Sequence, residues 1–118
     1  MFACAVVRLC GILHTAGGLG RLMAPQLLRC GTSIAAMLEE ARGAESRRDF
    51  VSKCSIALKE CREAWARLRV LEACRIGPPA ETRALVGEAS ELVAIIGAIV
   101  RNTRRNAGLR NLGFRSEE

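Results

Sequence analysis

From Gln26 to Leu71 the chain carries a helical heptad seam, interrupted near its start by the polar, glycine-containing segment Gly31-Thr32-Ser33. Apolar or small residues recur at Leu27, Gly31, Ile34, Leu38 and Ala41. They recur again at Phe50, Cys54, Ala57, Cys61, Ala64, Leu68 and Leu71. Both runs alternate steps of four and three, which keeps one face of a helix continuously apolar. A chain so patterned folds as packed helices, and a filled seam leaves little room for an active site. Half of the 118 residues are hydrophobic but only 3% are aromatic. The core is therefore built from Leu, Ile, Val and Ala, as antiparallel helices need.

Punctuation divides the chain into four helices. The opening segment keeps a three-four spacing at Phe2, Ala5, Leu9 and Ile12 and reads as a first helix over about 2–13. It has no basic leader, and Arg8 interrupts its apolar run, so it does not read as a signal peptide. Gly17, Gly18 and Gly20 form a flexible turn before a second helix over about 21–44. Gly31 lies on the seam of that helix, where a glycine is poor helix material. Its place there predicts close approach of a neighbouring helix. Ser46-Arg47-Arg48-Asp49 reads as an N-cap with an acid three residues on, and opens a third helix over 46–73. Gly77-Pro78-Pro79 ends that helix and starts a fourth, over 79–107, with Leu85, Ala89, Leu92, Ile96 and Ile99 as its stripe. Residues 108–118 read as a flexible basic tail. The charge-free run Leu92 to Val100 is too short to span a bilayer, which takes ~20 residues. The expected fold is all-α: one antiparallel up-down-up-down four-helix bundle over 1–107.

Charge and cysteine usage limit the partners. The formal net charge is +6, and it sits at the ends of the chain. Residues 39–100 carry ten acids and ten Lys/Arg, whereas the first 38 hold three arginines and no acid. The last 18 hold five arginines against two glutamates. Arg101, Arg104 and Arg105 stand at three- and four-residue spacing, with Arg110 and Arg115 beyond. Such a stripe can contact phosphates without reading sequence, which makes RNA or DNA a candidate partner. Solubility and a favourable charge at a helix C-terminus explain the same residues. Of the six cysteines, none forms a CxxC pair, and His14 is the sole histidine, so a zinc site is not indicated. Cys54 and Cys61 fall on the seam as small buried hydrophobes, a usage that fits a reducing cytoplasm.

Nothing in the sequence points to an enzyme or a cofactor. A Ser-His or Cys-His pair would have to use His14, in an expected turn. No Glu-x-x-His stands on any helix, which a carboxylate di-iron bundle requires. Glu60 and Glu63 share a helical face, which solvent explains. Surplus apolar residues point instead to self-association. Val51, Leu58 and Trp65 lie beside the main stripe of the third helix, and Val86, Val93 and Val100 beside that of the fourth. Each set repeats at seven residues, and together they form the candidate oligomer interface. A compact bundle with broad faces is the alternative use for them.

The stretch from Gln26 to Leu71 also resembles a small bacterial four-helix-bundle family, named for proteins encoded in intervening sequences of 23S rRNA genes. The resemblance rests on Gln26-Leu27, Arg29 to Ile34, Glu40-Ala41, Ser46 to Phe50 and Ala57 to Glu60. It extends to Glu88 to Leu92 and to Asn102-Thr103-Arg104-Arg105-Asn106. Ala35, Ala36 and Met37 stand where the family shows Gly-Ala-Asn, and Ala66-Arg67 stands in place of an aromatic pair. The resemblance implies a closed ring, commonly a pentamer, and no known catalysis. It also implies kinship with accessory proteins of diversity-generating retroelements, which are basic bundles that bind nucleic acid and a reverse transcriptase. The expectation is a non-enzymatic, oligomeric, cytoplasmic bundle that meets an RNA or DNA backbone through a basic rim. The alternative is a protein-interaction scaffold without nucleic-acid binding.

Overall fold

The computed structural model describes residues 1–111, and the side chains of residues 1–106. Four α-helices follow one another: α1 (Phe2–Ala16), α2 (Gly18–Arg42), α3 (Arg47–Ala73) and α4 (Pro79–Asn111). Short connections fold each helix back on the one before. α2 packs on α1 and α3, and α4 packs on α3 and, more thinly, on α1. The described residues thus form an all-α four-helix bundle with no strand.

The chain's own chemistry sets the turns. Gly17 alone separates α1 from α2, with φ 79° and ψ −161°, a conformation that suits a residue without Cβ. The expected flexible tri-glycine turn is thereby reduced to one residue, and Gly18 and Gly20 belong to α2. At the start of α3 the Ser46 hydroxyl accepts the Asp49 N–H at 3.0 Å, so the sequence-predicted cap forms. At the end of α3, Arg75 occupies the left-handed position with φ 56°. The Ile76 N–H then reaches the Leu71 carbonyl at 2.9 Å and the Arg75 N–H reaches that of Glu72 at 3.1 Å. That pattern is a Schellman closure, made here without the usual glycine. α4 runs on through Asn111, past its expected end at 107. Of the expected tail, residues 112–118 lie outside the described residues.

Both halves of the seam face inward. Leu27, Gly31, Ile34 and Ala41 of α2 are buried, as are Cys54, Ala57, Cys61, Ala64, Leu68 and Leu71 of α3. Gly31 is the close approach expected of it. A Cβ there would lie 2.7 Å from Cγ1 of Val6 on α1, below any real contact. Two stripes differ from expectation. In α1 the buried residues are Val6, Leu9, Cys10 and Leu13, while Ile12 is exposed. The segment is apolar nearly all round, so periodicity leaves its phase open and the glycine opposite Val6 fixes it. In α4 the stripe passes from Ile96 to Val100 and leaves Ile99 exposed. A straight helix drifts against a strict heptad, and a four-residue step absorbs that drift.

Candidate nucleic-acid interface

The outer surface of α3 sorts its charges into two flanks. On the flank toward α2 stand the acids. Arg29 of α2 donates to Glu60 at 3.0 Å and to Glu63 at 2.5 Å, and Arg67 donates to Glu63 at 3.1 Å. Lys53 stands 4.0 Å from Asp49, one turn back on the same helix. Burial pushes the Glu63 carboxyl up, but the hydrogen bonds from Arg67 and Arg29 outweigh it and hold it below its ordinary value. The same two carboxylates hold the Arg29 guanidinium above its ordinary value. These acids are therefore spent inside the protein. Glu60 and Glu63 are not merely a solvated face. Their partner Arg29 is 31 and 34 residues away, beyond any local pattern.

On the other flank, toward α4, the acid is Glu72 near the end of α3, which stands 3.7 Å from Arg83 of α4. Arg48, Ser52, Ser55, Lys59 and Arg62 follow one another by four, three, four and three, and Ala66 and Arg69 continue the line. All but the half-buried Ser55 are exposed. Across the α3–α4 seam Arg104 donates to the Ser55 hydroxyl at 3.2 Å. Arg48, Ser52, Ser55, Lys59 and Arg104 thus line one open depression, together with Val51 and Ile56. Three cations and two hydroxyls around a shallow hollow form a set of hydrogen-bond donors for anionic oxygens. Further along α4, the Arg101 guanidinium lies over Gly97, where a Cβ would meet its Nη1 at 3.3 Å. Arg105 is exposed on the outer side of α4. Arg110 falls within α4, but its side chain lies outside those described.

The expected arginine stripe is thus one edge of a larger basic face. Only Arg104 of that stripe joins the depression. Arg48, Lys59 and Arg62 are the residues that reading along the chain missed. Their four-three spacing was visible, but their common face matters only once Arg104 lies beside it.

The six residues expected at an oligomer interface have a different place. Val51, Leu58, Trp65, Val86 and Val93 are half-buried and pack against the chain's own core. Val100 is a buried member of that core. None of the six is among the exposed large hydrophobic residues, which include Leu19, Leu22, Ile95 and Ile99. This packing is what the broad-face alternative expects, and further exposed apolar surface lies elsewhere. An apolar groove of about 320 Å³ opens at the start of α1, lined by Met1, Phe2, Ile34, Ala35, Leu38 and Leu92 among others. Ile95 and Ile99 continue the Leu92 face of α4 beyond it.

Two features are absent among the described residues. No group of three or more His, Cys, Asp or Glu gathers where a metal ion could be held. No helix is long and apolar enough to cross a membrane. Burial pushes the Cys10 and Cys61 thiols up to about 11, with the nearby Cys30 adding to the effect. Such thiols are protonated and poor nucleophiles.

Comparison with known proteins places the architecture. A family model described as 23S rRNA-intervening sequence protein matches residues 20–98. Among solved structures, the chain is similar to a protein of unknown function from the S23 ribosomal protein family of Bacteroides thetaiotaomicron VPI-5482. The two share 32% identity over 84% of this chain and 91% of that one, with a TM-score of 0.75. No curated protein matches.

Proposed function

The chain belongs to the 23S rRNA-intervening sequence protein family, and from that premise we propose that it is a non-enzymatic bundle protein that binds nucleic-acid backbone through the α3–α4 face. The observation that carries this reading is the segregation of charge on α3. Asp49, Glu60 and Glu63 are neutralised by Lys53, Arg29 and Arg67 on the α2 flank, and Glu72 stands against Arg83 of α4. Arg48, Lys59 and Arg62 therefore face solvent with Arg104 and without an acid on their line. A protein that needed positive charge only for solubility would gain nothing by sorting it. The donors are guanidinium, ammonium and hydroxyl groups, which suit phosphate oxygens and carry no base code. The test is fluorescence anisotropy with labelled nucleic acid at two salt concentrations. Arg48→Glu, Lys59→Glu and Arg104→Glu together should abolish binding, and wild-type affinity should fall steeply with salt. Binding that survives the triple change would clear this face.

A second reading, self-association, is favoured by the groove at the start of α1. The occupant we propose is a second copy of this chain. Each copy offers exposed Leu19 and Leu22 at the far end of α2, as well as the groove and the exposed Ile95. Two unlike patches on one chain make a heterologous contact, which closes into a ring when the rotation allows. Light scattering at micromolar concentration decides it. Leu22→Lys and Ile95→Lys should each lower the mass, and a monomer mass for the wild type removes the reading.

A further inference from the structure

We infer that the α3–α4 basic face is built for a double-stranded nucleic acid rather than a single strand, a step that rests on the nucleic-acid reading above. Proteins that hold single strands combine a basic groove with aromatic side chains on which unpaired bases stack. Among the described residues this face has the charge and lacks the platform. Phe2 and Phe50 pack against the core. Trp65, the only tryptophan, packs against the core too, and the Arg69 guanidinium covers its ring at 4.2 Å from the centroid. The fourth aromatic, Phe114, lies outside the described residues. Between the cations stand serines, an alanine, the half-buried Val51 and the exposed Ile56, none of them aromatic. A flipped base would find no π-face there, whereas a phosphate oxygen would find a hydroxyl or a guanidinium.

The dimensions agree. Arg48 and Arg69 lie 21 positions apart on one continuous helix, so the stripe is about 32 Å long at ~1.5 Å per residue. That is close to one turn of a duplex, roughly 34 Å. Arg104 widens the stripe at one end, so cations stand on both sides of the α3–α4 seam there. Both helices are packed on the core, so the cations are held on a stiff surface. A stiff, straight row of cations matches the stiff phosphate array of a duplex. A flexible single strand would have to be ordered to follow it, with no stacking gain to offset that cost.

The experiment uses the full chain and three probes of equal length: an RNA duplex, a DNA duplex and a single-stranded RNA of mixed sequence. Anisotropy at one low salt concentration should give at least ~10-fold tighter binding of a duplex than of the single strand, as expected where stacking contributes nothing. Which duplex binds more tightly tells whether RNA or DNA supplies the backbone. Trp65 should not show the quenching of a stacked base, because the Arg69 guanidinium covers its ring. A single strand bound as tightly as either duplex, with Trp65 quenched, overturns the inference. If that single-strand binding is lost in the Arg48→Glu, Lys59→Glu, Arg104→Glu protein, the basic-face reading survives without it. No binding of any probe at low salt removes both.

Discussion

Gly31 offers the sharpest test of the packing. The α1–α2 contact closes on it so tightly that a Cβ would stand 2.7 Å from Cγ1 and 3.2 Å from Cβ and Cγ2 of Val6. Val6 is wholly buried, so it has little freedom to retreat. Two effects oppose each other in Gly31→Ala. Helix propensity favours alanine by ~1 kcal/mol. Overpacking a filled core costs ~1–3 kcal/mol. The contact lies well inside the distance at which neighbours must shift, so the upper half of that range applies. The expected net loss is ~1–2 kcal/mol, and Gly31→Leu should lose more. In thermal unfolding, 1 kcal/mol corresponds to roughly 4 °C for a chain of this size, so Gly31→Ala should melt about 4–8 °C low. Val6→Ala removes Cγ1 and Cγ2, two of the three clashing atoms. Alone it should destabilise by opening a void. Combined with Gly31→Ala it should recover part of the loss, a coupling of ~0.5–3 kcal/mol in a double-mutant cycle. Gly31→Ala melting at or above the wild type, or strictly additive losses, would refute the close approach.

Gly87 is the contrasting case: it lies in α4 with nothing within 4 Å of a new Cβ, so Gly87→Ala should stabilise by ~0.5–1 kcal/mol in urea unfolding. The Glu63 carboxyl is held below its ordinary value of 4.5 in the folded protein, so its contribution is complete above that value and lost as the pH falls through and below it. Stability measured from pH 6 down to pH 3 should therefore fall less steeply in Glu63→Gln than in the wild type, by at most ~1 kcal/mol for so exposed a pair. Cys4 and Cys74 are exposed while Cys10, Cys30, Cys54 and Cys61 are buried. A thiol reagent should modify two cysteines quickly in the native protein and the other four only on unfolding; fast labelling of Cys54 or Cys61 would contradict the core described here.

How much of this was legible along the chain depended on whether the signal was local. The α2 and α3 seams were, because a strict four-three alternation over many residues permits one phase. The Ser46 cap was, because a capping hydroxyl and the N–H that donates to it lie within one turn. The phase of α1 was not. Val6, Leu9 and Leu13 compete there with Phe2, Ala5 and Ile12, and only the partner helix, through Gly31, breaks the tie. Val51, Leu58 and Trp65 were visible as surplus, but their heptad spacing says only that they share a face. Whether that face meets another helix of the same chain or another copy is a tertiary question. The structure turns them toward their own core. Arg75 hides the end of α3, since a left-handed arginine carries none of the glycine signal that usually marks such a stop.

The charge of the middle of the chain shows the same limit from the other side. Residues 39–100 sum to zero, and that balance leaves the C-terminal arginines as the visible excess at that end. A net charge is a scalar, whereas recognition depends on where each sign points. On α3 the acids Asp49, Glu60 and Glu63 and the bases Arg48, Lys59 and Arg62 interleave along the chain, yet most separate around the helix, and Glu63, four residues from Lys59, is drawn away by Arg29 and Arg67. Residues three, four or seven apart share a side, and residues one apart do not. Arg29 then makes the separation effective. By holding Glu60 and Glu63 it removes from solvent the carboxylates nearest the basic stripe. It follows that Arg29→Ala should weaken nucleic-acid binding without touching the face that binds. The change removes one positive charge and leaves Glu60 without its partner, while Glu63 keeps Arg67; the resulting field loss should appear at low salt and fade as screening shortens its reach. Binding by Arg29→Ala equal to that of the wild type at low salt would mean that Arg29 serves the fold alone.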